Sequence, residues 1–340
     1  MSAAMTASGI SPSLPTRCSV FRENGTVAPL TDLATISEVL TEPGTFVWLD
    51  TVDPGNGDLR VLQEEFALHP LAIEDAIKAH QRSKIDVYDD CWFIVVHAVA
   101  HGEHTLTPSE IAIFAGERFV VTVRHAPAYP LEEVQRRWGT ITSLKRDSGA
   151  LVYTILDTIV DDYFPVVEAF EARVEALEHN LLAPITRKST ARDVLTDILD
   201  VKQKLQTMRH IVAPVSDIVA RIVRSDVRIF GEDETMYYRD VQDHALRLLD
   251  RVDSLHEMLT ASLSIHWSVA ANRQAEVSKQ LTVIATIFLP LSFITGFFGQ
   301  NFGFLVNHIT DRRDFFLLGI GTEIVALLLL IAYFARKRWV

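Results

Sequence analysis

Cysteine is scarce in this 340-residue chain: Cys18 and Cys91 are the only two, and they lie far apart. Two isolated cysteines support neither a disulfide framework nor a thiolate metal centre. Basic residues are also in short supply, 32 Lys and Arg against 44 Asp and Glu, for a formal charge of −12. That balance argues against a nucleic-acid partner, which demands a basic face, and suits a surface that concentrates cations. No glycine-rich phosphate loop is present, and no nucleophile–base pair sits in a convincing context, so an enzyme is not expected. No internal repeat is evident. Met1 to Thr16 lack the basic start and apolar core of a signal peptide. The N-terminus is therefore expected in the cytosol, with residues 1–15 as a disordered tail.

The most informative absence is local. From Gln280 to Thr310 there is no Asp, Glu, Lys or Arg. Leu281 to Phe298 is almost wholly apolar and about long enough to cross a bilayer. Phe315 to Phe334 supplies a second apolar run, broken by Glu323. Two spans are predicted. Arg336, Lys337 and Arg338 follow the second directly and place the C-terminus in the cytosol under the positive-inside rule. Arg312 and Arg313 in the link argue weakly the other way. A carboxylate inside a span is costly, so Glu323 is expected to pair with a polar group of the first span or to reach water, with proton coupling as a functional alternative.

The soluble part divides into two textures. Residues 16–145 mix short apolar runs with turn signals and predict an α/β domain. Strands are expected at Thr45–Leu49, Lys84–Tyr88 and Trp92–Ala100, a hairpin at Ile111–Ala115 and Arg118–Val123, and helices at Leu59–Phe66 and Pro70–Lys78. Helical periodicity takes over in 146–280. One stripe is Val194, Ile198, Val201, Leu205, Met208, Val212, Val215, Val219 and Ile222; another is Tyr238, Val241, Ala245, Leu248, Val252, Leu255 and Leu259. Both step by three and four, the spacing of a helix-packing seam. No Pro or Gly interrupts Tyr237 to Gln280, so one helix is predicted to run from cytosol into membrane. Asp157, Asp161, Glu168, Glu171, Glu175 and Glu178 share a helical face, either solvated or a cation-attracting rim. His97, His101 and His104 are close in sequence, but at a strand end and turn they are expected to be no specific metal site.

Three motifs in order carry a family resemblance. They are His69-Pro70-Leu71-Ala72-Ile73-Glu74-Asp75, Tyr238-Arg239-Asp240-Val241-Gln242-Asp243-His244, and the run from Leu281 to Gly296 followed by Gly299-Gln300-Asn301. The last resembles the pore helix of CorA magnesium channels, which ends in Gly-Met-Asn. The resemblance covers nearly the whole chain beyond the tail. It implies a homopentameric, funnel-shaped channel: an α/β cytosolic domain (16–145), a long α-helical funnel and stalk (146–280), a pore helix (281–298), an external loop (299–314), a second transmembrane helix (315–335) and a basic cytosolic end (336–340). The implied location is the inner membrane of the cell, multi-pass, among lipids, with both termini cytosolic.

The resemblance also implies roles for residues. Gly299, Gln300 and Asn301 form the selectivity motif, with Gln300 where the family's commonest motif has Met. The change leaves the architecture standing and opens the choice of ion among Mg²⁺, Zn²⁺, Co²⁺ and Ni²⁺. Five neutral Asn301 carboxamides would accept hydrogen bonds from a hydrated Mg²⁺ without stripping its water. From pattern alone, the alternative is an ordinary helix end, with Gly299 at positive φ and Asn301 as cap. Ser278, Leu281, Ala285, Leu289, Ser292 and Gly296 share one face. The resemblance turns that face to the pore, where Leu281 and Leu289 form apolar rings; the bland alternative is helix–helix contact through small residues. Ala275 and Ser278 fall where the family often has Asn and Met. Asp240 matches a stalk acid that binds regulatory Mg²⁺ between subunits, with Asp89 or Asp90 as partner; an ordinary surface pair with Arg239 is the alternative. Ser264 replaces another acid of that system. The expected function is therefore a potential-driven divalent cation channel gated by cytosolic Mg²⁺. A ZntB-like zinc transporter, with or without proton coupling, and a non-conducting membrane-anchored cation sensor are the alternatives.

Overall fold

The structure, a computed structural model, describes residues 16–23, 26–79, 81–99, 106–126, 128–140, 146–182, 191–224, 234–300, 303–308 and 311–337. Its contacts divide the chain into two units, Met1–Thr260 and Ala261–Val340.

In the first unit, runs of Val, Ile and Phe build one seven-stranded sheet. The strands are β1 (Arg17–Arg22), β2 (Val27–Pro29), β3 (Thr45–Val52), β4 (Lys84–Tyr88), β5 (Cys91–Val99), β6 (Pro108–Ala115) and β7 (Phe119–Arg124), in the order β2-β1-β3-β7-β6-β5-β4. All neighbours are antiparallel except β3 and β7. Side chains alternate across the pleat, so β5 sends Phe93 and Val95 to one face and Trp92, Ile94 and Val96 to the other, and all five are buried. Burial on both faces explains why β5 and β6 read as nearly continuous apolar runs.

The first face is covered by α1 (Ile36–Thr41), α2 (Asn56–Glu65) and α3 (Pro70–Lys78), through Ile36, Leu59, Leu62, Ala72, Ile73 and Ala76. Pro70 opens α3, where its missing N–H costs nothing, and His69 Nδ1 accepts the Leu71 N–H at 3.2 Å. The opposite face receives α4 (Glu132–Thr140), which packs on α5 (Ser148–Leu182); α5 lies on β5, β6 and β7. Gly116 is required in the β6–β7 hairpin, because a Cβ there would lie 2.3 Å from the Phe119 ring.

The helical stripes form the seam their spacing predicts. In α6 (Ala191–Arg224), Ile198, Val201, Leu205, Met208, Val212, Val215, Val219 and Ile222 are all buried; the Val194 side chain lies outside the described residues. In α7 (Thr235–Phe298), the seven residues from Tyr238 to Leu259 are buried as well. Burial stops there, and no residue from Thr260 to Thr282 is buried within the chain.

The second unit holds the end of α7, then α8 (Gly303–His308), α9 (Arg312–Asp314), a π-helical turn over Phe315–Ile320, and α10 (Gly321–Arg336). Two helices, Thr235–Phe298 and Arg312–Arg336, contain a window long and apolar enough to cross a membrane. Arg338 and Trp339 lie outside the described residues.

Candidate cation pathway and acidic cluster

The apolar helix ends in a tight turn. The Gly299 N–H donates to Thr295 O at 2.9 Å and the Gln300 N–H to Phe297 O at 3.3 Å. Gly299 is not at positive φ; among described glycines only Gly44 is. A left-handed helix cap at Gly299 is thereby overturned. A Cβ there would lie 3.2 Å from the Thr295 carbonyl oxygen, a tight contact. Asn301 lies outside the described residues.

Ser278, Leu281, Ala285, Leu289, Ser292 and Gly296 are all exposed, Leu281 by 68% and Leu289 by 73%. Val283, Ile287, Ile294 and Phe298, on the helix's other side, are more covered. Most of the helix surface is exposed in the single chain, Ile284, Phe288 and Phe293 included, and the face from Ser278 to Gly296 is set apart by its Ser, Ala and Gly interspersed with two leucines. Glu323 finds its polar partner in the first span: Thr295 Oγ1 lies 2.6 Å from Glu323 Oε1.

A second site lies where α4, α5 and α7 meet. Asp157 and Asp161, one turn apart on α5, and His244 on α7 bring their ligand atoms within 4.8 Å of one another. Arg137 of α4 donates through one nitrogen to both carboxylates, at 3.0 Å to Asp157 and 2.8 Å to Asp161. Burial, and then the charge of Asp161, push the Asp157 carboxyl up to about 6. His244 Nδ1 is buried without a hydrogen-bond partner among the described residues. Asp240, one turn earlier on α7 and 62% exposed, lies 3.9 Å from His244 Nε2.

Two half-buried carboxylates, an imidazole and a nearby exposed carboxylate offer the oxygen and nitrogen donors a divalent ion takes. Arg137 already occupies part of that donor set, as a fixed internal cation. Asp240 was legible from its motif, whereas Asp157 and Asp161 appeared only as members of the acidic stripe. His244 belongs to the same motif as Asp240, which by itself assigns it no role. The signal that joins them is the one-turn spacing on each of two helices, which sequence spacing alone cannot register across helices.

Other expected residues behave differently. Asp89 and Asp90 form the exposed turn between β4 and β5, Asp89 at φ 47°, and no contact joins them to Asp240 among the described residues. The acidic stripe is not uniformly solvated, because Arg251 clamps Glu171 with two hydrogen bonds at 2.6 and 2.7 Å and Arg137 holds the two aspartates. His97 meets Ser83 at 2.9 Å and lies 3.8 Å from buried Glu110, and burial pushes its imidazole down; His101 and His104 lie outside the described residues. Cys18 and Cys91 are free thiols that burial pushes up to about 12, unsuited to thiolate ligation.

Comparison with known proteins agrees with this layout. The sequence profile of the CorA-like Mg²⁺ transporter protein family matches residues 43–337. YfjQ of Bacillus subtilis is 31% identical over 293 residues, 86% of this chain and 89% of its own length. The cobalt/magnesium transport protein CorA of Thermotoga maritima is 26% identical over 280 residues, 81% of this chain and 78% of that one. Among solved structures, the complete CorA magnesium transporter of Methanocaldococcus jannaschii superposes with a TM-score of 0.75 at 21% identity, covering 96% of this chain and 99% of that one. An α/β domain, a long helix and two C-terminal apolar helices in that order, with a profile match across most of the chain, make this protein a member of the CorA-like divalent metal ion transporter family.

Proposed function

We propose that this chain is one subunit of a homopentameric channel that admits Mg²⁺, with Co²⁺ or Ni²⁺ as further substrates, through the cell's inner membrane. The observation that carries this is a helix free of charged residues from Gln280 onward, whose Ser278, Leu281, Ala285, Leu289, Ser292 and Gly296 share one exposed stripe and which ends at the Gly299 turn. Five such stripes around an axis make a narrow tube without fixed charge, with Leu281 and Leu289 as apolar constrictions that block by dewetting. Asn301, next after the turn, would crown it with neutral carboxamide oxygens suited to a hydrated ion. No residue of α7 from Thr260 to Thr282 is buried within the chain, which leaves that stretch free for packing between subunits. With both termini cytosolic, a divalent ion entering a negative cell gains about 4.6 kcal/mol per 100 mV, twice the single-charge figure, so no ATP is needed.

Gating by cytosolic Mg²⁺ is assigned to the acidic cluster on α5 and α7. Asp240 lies on the same uninterrupted helix as the pore stripe, so occupancy of its carboxylate bears on that helix directly. Asp89 and Asp90 are proposed to reach Asp240 from a neighbouring subunit. Ions held there favour the closed state, and their loss lets carboxylates repel, a population shift driven by differential binding. Gln300 and the imidazole of His244 favour a second reading, a Zn²⁺ transporter, because imidazole is a better ligand for zinc than for magnesium.

The deciding experiment is ion-selective flux into proteoliposomes holding the full-length protein. Mg²⁺ influx that follows an imposed inside-negative potential and is lost in Asn301→Ala is the expected result. Zn²⁺ flux without Mg²⁺ flux selects the second reading. Cation binding with no flux of any ion makes the protein a sensor.

A further inference from the structure

Thr295 has one hydroxyl hydrogen and two neighbours that claim it. Its Oγ1 lies 2.8 Å from the Leu291 carbonyl oxygen, one turn back on α7, and 2.6 Å from Glu323 Oε1 on α10. Two arrangements satisfy these distances. If Glu323 is a carboxylic acid, its O–H donates to Thr295 Oγ1, and the threonine donates onward to Leu291 O. If Glu323 is a carboxylate, the threonine hydrogen must turn to Oε1 and abandon Leu291 O. The position of one proton therefore decides which bond ties the two spans together.

The surroundings give that proton consequence. No other charged residue occurs in Leu281–Phe298 or Phe315–Ala335, and Tyr333 is the sole other titratable one. The nearest charged or titratable groups in sequence are Lys279, below the first span, His308, Asp311, Arg312, Arg313 and Asp314, in the link before the second, and Arg336, after it. Within the two apolar runs, Leu281–Phe298 and Phe315–Ala335, a carboxylate here has no cation. Its contact is placed at a mechanically sensitive point. Thr295 O accepts the Gly299 N–H, so the residue that meets Glu323 also anchors the turn of the selectivity motif. On α10, Glu323 lies three residues after the π-helical turn Phe315–Ile320, an irregularity that often marks functional positions in helices. Both residues lie within about three turns of the inter-span link, close enough to the aqueous boundary for proton exchange.

We propose that Glu323 is a proton-binding site of the transport cycle, acting through Thr295 as a positioning residue for the Gly299 turn. The inference rests on the transporter reading above. Deprotonation releases one proton to the aqueous phase on the link side. The Thr295 hydroxyl then swings from Leu291 O to the carboxylate, and each subunit gains one negative charge beside the outer part of the pathway. That charge attracts divalent ions, so influx rises as the pH on the link side rises.

The test is Mg²⁺ influx into proteoliposomes across an external pH series, for the wild type, Glu323→Gln, Glu323→Asp and Thr295→Val. Expected are a several-fold rise with pH in the wild type, a flat profile in Glu323→Gln held at the acid-side level, retention of the rise in Glu323→Asp, and a displaced midpoint in Thr295→Val. A Glu323→Gln profile that still follows pH like the wild type overturns the proposal. Infrared difference spectra of the purified protein give a readout independent of flux. A carboxylic-acid C=O band that titrates in the wild type and is missing in Glu323→Gln supports the site even in a protein that conducts nothing, and its absence from the wild type at every pH refutes it.

Discussion

At the scale of single residues, two groups do work that their neighbours cannot. A Cβ at Gly299 would lie 3.2 Å from the carbonyl oxygen of Thr295, a tight contact at the end of the first apolar helix. On the channel reading proposed above, Gly299→Ala should cut ion flux by about tenfold, a barrier rise of about 1.4 kcal/mol, while leaving assembly intact. Flux together with size-exclusion profiles checks this. Asp157 is the second. Its folded carboxyl holds a proton up to about 6, above the ordinary aspartate value near 4. Between those values the folded state binds more protons than the unfolded one, so stability falls as pH rises from about 4 to about 6. Thermal unfolding of the detergent-solubilised protein should show that fall in the wild type and a flatter curve in Asp157→Asn. A divalent ion at this cluster must displace the same proton, so Mg²⁺ should raise the melting temperature more at about pH 7.5 than at about pH 5.5. An equal rise at both would detach the ion from Asp157.

At the scale of elements, periodicity carried most of the information. The three-four stripes of α6 and α7 turned out buried along their length, because a helix with one apolar face has only one way to hide it. Leu248→Ala, inside that seam, should cost about 2–5 kcal/mol, whereas Leu246→Ala, 43% exposed on the same helix, should cost well under about 1 kcal/mol. Differential scanning calorimetry of the two variants compares them directly. Pro70 marked the start of α3, and the strand expected at Thr45–Leu49 extends to Val52. Less legible were β1, β2, α1 and α4. They are short, and Arg17–Arg22 is a strand because β3 and β2 flank it, a long-range pairing that a six-residue window does not encode. The acidic stripe was misleading in a similar way. Its face was visible, but Arg137 from α4 and Arg251 from α7, which neutralise half of it, come from elsewhere in the chain.

At the scale of the whole molecule, the largely exposed helix surface over Leu281–Phe298 and the unburied stretch from Thr260 to Thr282 fit the proposed packing with further copies of this chain. Native mass spectrometry should find five times the 38.2 kDa chain mass, and a monomer or dimer would remove the tube. Dissipating the membrane potential with an ionophore should slow Mg²⁺ entry at constant concentration gradient, since about 4.6 kcal/mol per 100 mV is withdrawn.

The amino-acid sequence alone determined that two long apolar runs, the first free of charge and the second broken only by Glu323, are suited to cross a membrane, that long amphipathic helices precede them, and that Gly299-Gln300-Asn301 follows the first. These properties depend on local composition and period, which the solvent reads residue by residue. Only the tertiary structure decided that Asp157, Asp161 and His244 share one site under Arg137, and that Glu323 meets Thr295. Those pairings join residues dozens of positions apart, and distance in space is set by how helices pack, which no single segment specifies.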